Sequence, residues 1–240
     1  MKVIVTKNYE EMSVEAGKIL AQTIKNKPDC VLGLATGSTP VGAYDYLADL
    51  FNKNELSFSK VSSINLDEYY PLSAEDSQSY RYFMNENLFD RVDIDKSKTF
   101  VPNGTAEDVA AACEEYDKRI DEMGIDVQVL GIGRNGHIGF NEPNQELHRG
   151  THLTPLTDDT INANARFFAS EQEVPKHAIT MGMGSVFKAR KIILLASGKS
   201  KAEAIKQVVT GGITTSCPAS LLCLHPDVTV ICDEDAYSLV

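Results

Sequence analysis

Short runs of Val, Ile and Leu alternate with longer stretches of helical period along this chain, and that alternation restricts the fold more than any other feature. KVIVT (2–6) precedes a helical pattern over 9–26, CVLGL (30–34) precedes 40–52, and VSSINLD (61–67) precedes about 79–89. A helical stretch over 106–123 then leads into VQVLGI (127–132), KIILLA (191–196) leads into a helix from about Ser200 to Thr210, and DVTVICD (227–233) reads as the last strand. Strands and helices in alternation predict a mostly parallel, doubly wound α/β sheet with helices on both faces. Consecutive rather than alternating apolar positions in the strands fit a sheet covered on both sides. In the first helix Met12, Ala16, Ile19, Leu20 and Ile24 share one stripe, with Asn8 as the expected N-cap and Glu11 three residues on.

Nothing marks a domain boundary: no repeat, low-complexity tract or linker interrupts the 240 residues, which read as a single domain, 1–240. Between about Asn135 and Met181 the pattern loosens, with Gly, Pro, Asn and Thr spread through it, as in segments that carry function or lids. The net charge of −11 and the lack of a basic run with interleaved aromatics argue against nucleic acid. No apolar run has the roughly 18 residues that a membrane helix needs. The N-terminus carries no secretory or transit pattern, and five cysteines without a C-x-x-C pair form neither a disulfide framework nor a zinc site; a cytoplasmic protein is expected. An anionic ligand would therefore be held by a few focused cations and backbone N–H groups.

Three segments carry chemistry. The first is GLATGSTP (33–40), where Gly37 allows a tight turn, Thr39 reads as an N-cap and Pro40 as the first helical residue; with Ser38 this outlines a phosphate cradle. Taken alone it reads equally as an ordinary strand-to-helix turn, and no Walker lysine follows it. The second is NLDEYY (65–70), at the carboxyl end of a strand, where ligands of open α/β sheets bind. Asp67 is its candidate base, against the plainer reading of a turn residue, and Glu68 reads as a solvated charge. The third is GIGRNGHIGFNEP (131–143). It opens like a dinucleotide fingerprint, yet Pro143 follows where that motif needs a long helix. It places His137 near Glu142, an acid/base pair or a hydrogen-bonded structural histidine. The spacing is not that of a zinc motif. Arg166 and Lys201 are candidate phosphate-binding cations that singly read as surface charges. His148, His152, His177 and His225 carry no readable role.

In combination, GLATGSTP, NLDEYYP, GIGRNGHIGFNEP, ARFF (165–168) and ASGKSKAEAI (196–205), in this order, resemble the glucosamine-6-phosphate deaminase family along essentially the whole chain. The resemblance implies a Rossmann-like doubly wound fold and conversion of glucosamine 6-phosphate to fructose 6-phosphate and ammonia, without metal or cofactor. It implies that Asp67 accepts the proton at carbon 2 and that His137, supported by Asn135 and Glu142, opens the sugar ring. Gly37, Ser38, Thr39, Arg166 and Lys201 would surround the phosphate. A solvated aspartate with a pKa of about 3.9 is a weak base, so closure over the substrate is expected to dry the pocket around Asp67.

Some family members carry Asp where this chain has Asn135, which limits Asn135 to hydrogen bonding. Allosteric members carry basic residues after the catalytic glutamate and a longer C-terminal tail, where this chain has Gln145, His152 and Thr154 and reaches Val240. The expectation is a monomer or small homo-oligomer without activation by N-acetylglucosamine 6-phosphate. Two rival readings are 6-phosphogluconolactonase, which needs no carbon-2 base, and a non-catalytic sugar-phosphate sensor, which would have lost the catalytic set.

Overall fold

A computed structural model describes residues 1–157, 160–161 and 174–240. Seven strands form one parallel sheet: β1 (Lys2–Thr6), β2 (Val31–Leu34), β3 (Ser62–Asn65), β5 (Thr99–Phe100), β6 (Val127–Leu130), β9 (Lys191–Ala196) and β10 (Val228–Asp233). Their spatial order is β1-β10-β9-β6-β2-β3-β5. From β2 the chain winds outward through β3 to β5, returns to β6, and winds the other way through β9 to β10. The direction of winding therefore reverses between β2 and β6. A doubly wound sheet opens a ligand-sized crevice at such a point, beyond the carboxyl ends of the strands.

Every residue of β2, β6 and β10 is buried, so both sheet faces are covered there. Helix α1 (Tyr9–Asn26) buries Met12, Ala16, Leu20 and Ile24 as its spacing predicts, with Ile19 at the margin of the stripe. The Asn8 side chain accepts the Glu11 N–H at 3.0 Å and the Glu11 carboxylate accepts the Lys7 N–H at 3.1 Å, which satisfies two end donors reciprocally. Helix α4 (Val109–Met123) is capped by Asp108 and ends at Gly124. The remaining long helices are α2 (Val41–Asn52), α3 (Tyr80–Asn87) and α5 (Ala202–Thr210). Among the described residues no helix is long and apolar enough to cross a membrane.

The sequence pattern misjudges the third strand. Residues 61–67 are not one strand, because Leu66 serves two sheets: its N–H donates to Leu34 O at 3.1 Å, and its carbonyl accepts the Met181 N–H at 2.8 Å. Beyond it, β4 (Asp67–Tyr70) pairs antiparallel with β8 (His177–Thr180), which pairs with β7 (His152–Pro155). This small sheet, built partly from the stretch that looked irregular, was not foreseen. Asp67 is consequently the first residue of a second sheet, opposite Thr180 and one residue beyond the large one.

Candidate active site

Three neighbouring strands, β9, β6 and β2, deliver Lys201, the 133–142 loop and the 35–42 turn from their carboxyl ends, while Asp67 comes from β4, just beyond β3. After β2, two tyrosines fix the 35–42 turn. The Tyr44 hydroxyl donates to Ala35 O at 2.6 Å and accepts the Ala35 N–H at 3.2 Å. Tyr9 of α1 donates to Ser38 O and accepts the Gly42 N–H, both at 2.9 Å. Gly37 has φ +86°, a left-handed conformation that glycine adopts without cost. Gly37 and Ser38 are exposed and Thr39 is half-buried. Helix α2 starts at Val41 with Pro40 at the cap position and no side-chain cap, so Thr39 does not cap it as its sequence position suggests. Its hydroxyl is left for other partners, beside a helix N-terminus that favours an anion.

After β9, Asp233 fixes the next turn by accepting the Ser197 hydroxyl at 2.5 Å and the Gly198 N–H at 3.0 Å. That turn leads to Lys201, which is half-buried. Its ammonium is held below the ordinary lysine range, first by burial and then by the positive charge of Arg134 on the loop after β6. Two crowded cations at adjacent strand ends are costly alone, and an anion between them relieves that cost. In the sequence Arg134 is one member of a glycine-rich motif, and its nearness to Lys201 follows only from the pairing of β6 with β9. Arg166 lies outside the described residues.

The loop after β6 is folded on itself. Gly133 donates to His137 O at 3.0 Å, Gly136 donates to Gly133 O at 3.1 Å, and Gly136 has φ +80°. A Cβ on Gly133 would sit 2.4 Å from the His137 ring, so the imidazole packs directly against a glycine backbone. His137 Nδ1 lies 3.1 Å from Glu142 Oε1, an ion-pair contact whose direction departs from an in-line hydrogen bond. Glu142 also accepts the Thr160 hydroxyl at 2.8 Å and the Asn135 amide at 2.7 Å, while Asn135 Oδ1 accepts the His137 N–H at 3.2 Å. Asn135 thus acts by hydrogen bonding, as its lack of a titratable group requires. Burial pushes the Glu142 carboxyl up, but His137, by contact and by charge, and the Asn135 and Thr160 bonds together outweigh it and hold the pKa at about 2.

Asp67 behaves oppositely. It is 6% exposed, so its pocket is already dry and needs no closure over a substrate to become so. Burial, then the charge of Glu68, raises its pKa from 3.8 to about 8. A Cβ on Gly139 would lie 3.3 Å from Asp67 Oδ2 and 2.8 Å from Thr180 Oγ1, and the Phe140 N–H donates to that same hydroxyl at 3.2 Å. The loop carrying His137 and Glu142 therefore packs on the strand pair carrying Asp67. Glu68 is not a solvated charge: it is 2% exposed. Among the described residues no three His, Cys, Asp or Glu side chains are grouped so as to hold a metal ion. His148 and His152 stack on each other with ring centroids 4.0 Å apart, and His225 Nε2 lies 2.8 Å from Ala189 O, both structural placements.

Residues 7–231 match the family model described as Glucosamine-6-phosphate isomerases/6-phosphogluconolactonase. The chain belongs to that family. A glucosamine-6-phosphate deaminase from Clostridium perfringens strain 13 is 59% identical over the whole of both chains. The glucosamine-6-phosphate deaminase of Thermoanaerobacter pseudethanolicus is 55% identical over 100% of this chain and 95% of its own. Among solved structures, a monomeric glucosamine-6-phosphate deaminase superposes with a TM-score of 0.97 at 49% identity, covering all of both chains. A 6-phosphogluconolactonase from Leishmania guyanensis reaches a TM-score of 0.73 at 22% identity over 98% and 97% of the chains, which establishes the shared fold of this family and nothing finer.

Proposed function

We infer that this protein converts glucosamine 6-phosphate and water to fructose 6-phosphate and ammonia. The observation that carries the reading is the convergence of a buried Asp67, whose carboxyl is raised well above the ordinary range by burial, and the tethered His137–Glu142 pair. In the proposed sequence His137, oriented by Glu142 at 3.1 Å, passes a proton in opening the sugar ring. The free aldehyde acidifies the hydrogen on carbon 2, and Asp67 removes it to give an enolamine. Reprotonation at carbon 1 gives an imine at carbon 2, and water releases ammonia from it. No electrons leave the substrate, so the sequence calls for no redox partner. Ser38, Thr39, the Gly37 turn and Lys201, with Arg166, take the phosphate.

A lactone hydrolase has no use for a carbon-2 base, so activity towards the two phosphosugars separates the readings. Ammonia and fructose 6-phosphate from glucosamine 6-phosphate, with no faster hydrolysis of 6-phosphogluconolactone than in buffer, is the expected result; the reverse pattern would refute it. Replacing Lys201 by Ala removes a charge-assisted contact to phosphate, and steady-state kinetics should show KM raised about 10- to 100-fold with kcat little changed.

The protein works as a monomer in this reading, in line with its likeness to a monomeric deaminase. Its five free cysteines fit the reducing cytoplasm. The segment after Glu142, with Gln145, His152 and Thr154, lacks the basic residues that the resemblance assigns to allosteric members there. Rate against substrate should therefore be hyperbolic and unmoved by N-acetylglucosamine 6-phosphate; a sigmoidal curve relieved by that compound would show otherwise.

A further inference from the structure

Successive residues of a strand face opposite ways, and on β4 this sends two neighbouring carboxylates to different places. Asp67 meets Gly139 on the crevice side, whereas the Glu68 side chain lies against Gly104, where an added Cβ would come 3.1 Å from its Cγ. The Glu68 carboxylate closes the N-terminus of α3. Oε1 accepts the N–H groups of Tyr69 and Tyr80 at 2.8 Å each, and Oε2 accepts the Arg81 N–H at 2.9 Å. Ser79 caps the same helix through the Tyr82 N–H at 3.0 Å. The helix in turn reaches the other side of the crevice: the Tyr80 ring is stacked on Phe140 with centroids 6.2 Å apart and planes 5° apart, and Tyr69 lies 4.7 Å from Tyr80. Phe140 belongs to the loop that holds His137.

We propose that Glu68 is the positioning residue of this site, tying the strand that carries Asp67 to the N-terminus of α3 and, through Tyr80 and Phe140, to the loop that carries His137. The proposal rests on the reading of Asp67 as the proton acceptor. A capping carboxylate at a surface helix is a local device, but this one is buried, adjoins the acceptor, and joins β4 to α3, whose Tyr80 stacks on Phe140 of the His137 loop. Its charge also acts on Asp67 directly. Among the described residues, Glu68 on its own strand, Tyr80 of α3 and Tyr116 of α4 act on or face Asp67; of these Glu68 titrates near neutrality, and Arg81 faces Glu68.

The test is the pH dependence of kcat in three variants, with Asp67→Asn as the reference for the acceptor itself. Glu68→Gln removes the charge, so the acidic limb should move down by about one pH unit while plateau kcat falls about 10-fold and KM stays within about threefold. Glu68→Asp keeps the charge but falls one methylene short of α3, so the limb should stay in place while kcat falls. Ser79→Ala loosens α3 without removing the Glu68 charge; it should lower Tm and leave the limb in place, with kcat falling less than in Glu68→Asp. A limb unmoved in Glu68→Gln, or one moved equally by Ser79→Ala, overturns the proposal. If Glu68→Gln does not fold, Glu68→Asp decides, and wild-type kcat there overturns it. An active Asp67→Asn would instead overturn the reading of the acceptor, and the proposal with it.

Discussion

Asp67→Asn is expected to lose about 10² to 10⁴ of kcat and, in the same molecule, to melt at a higher temperature than the wild type. The loss follows from the role: an amide cannot take the carbon-2 proton, while binding of the phosphate is untouched, so KM should change little. The gain follows from burial. A folded-state pKa of about 8 against an ordinary 3.8 means that the native state holds a proton which the unfolded chain gives up. Stability then falls as pH rises between those two values, because over that range the unfolded state binds fewer protons. Asparagine has no proton to lose, so the Tm advantage of the variant should grow from about pH 4 to pH 8. Thermal melts of both proteins at pH 5 and pH 8 check the sign. A variant less stable than the wild type at pH 8 would mean that the carboxylate is better solvated than its burial implies.

Glu142→Gln should go the other way on stability while also losing activity. The Glu142 carboxyl is held at about 2 against an ordinary 4.5. A depressed folded-state pKa contributes stability that is fully present above pH 4.5 and is lost as pH falls through about 2. A shift of that size corresponds to something on the order of 3 kcal/mol at neutral pH, or about 5–10 °C in Tm for a domain of this length. Glutamine keeps the Thr160 contact but cannot accept the Asn135 amide at its nitrogen, and it leaves His137 without its counter-charge. Activity should fall about 100-fold, because the ring that passes the proton loses the carboxylate that orients it. Unchanged Tm and unchanged rate would remove Glu142 from the site.

Two carboxylates packed into one crevice thus carry opposite stability signs, and the difference is one of partners. Asp67 is buried beside another acid; Glu142 is buried beside an imidazole, an amide and a hydroxyl. Environments that push two acids apart in pKa are how one site provides both a base and a fixed anion.

Much of this was legible in the chain. The strand and helix periods gave the sheet and its winding, because β2, β6, β9 and β10 are covered on both faces and are built mostly of consecutive Val, Ile and Leu. Asn8 and Glu11 announced the start of α1 correctly, since capping is local chemistry. Long-range pairing was not legible. That Leu66 would divide its two backbone groups between two sheets depends on Leu34 and Met181, neither of which is near it in sequence. The split decided what Glu68 does: in a single continuous strand it reads as a free charge, whereas in β4 it caps α3. Arg134 was passed over for a similar reason, because its relation to Lys201 exists only once β6 and β9 lie side by side. Asp67, His137 and Glu142 stand out by motif, and the roles proposed for them come from the family resemblance; their burial, charge partners and loop packing are what spacing alone does not express.

The most direct test of the account measures ammonia and fructose 6-phosphate together, from glucosamine 6-phosphate with purified wild-type protein and Asp67→Asn side by side, and follows binding of the sugar phosphate to each by calorimetry. The account predicts one ammonia per fructose 6-phosphate from the wild type, and near silence from a variant that still binds. A folded wild type that binds the sugar phosphate and releases neither product, or a variant that turns over at the wild-type rate, would contradict it.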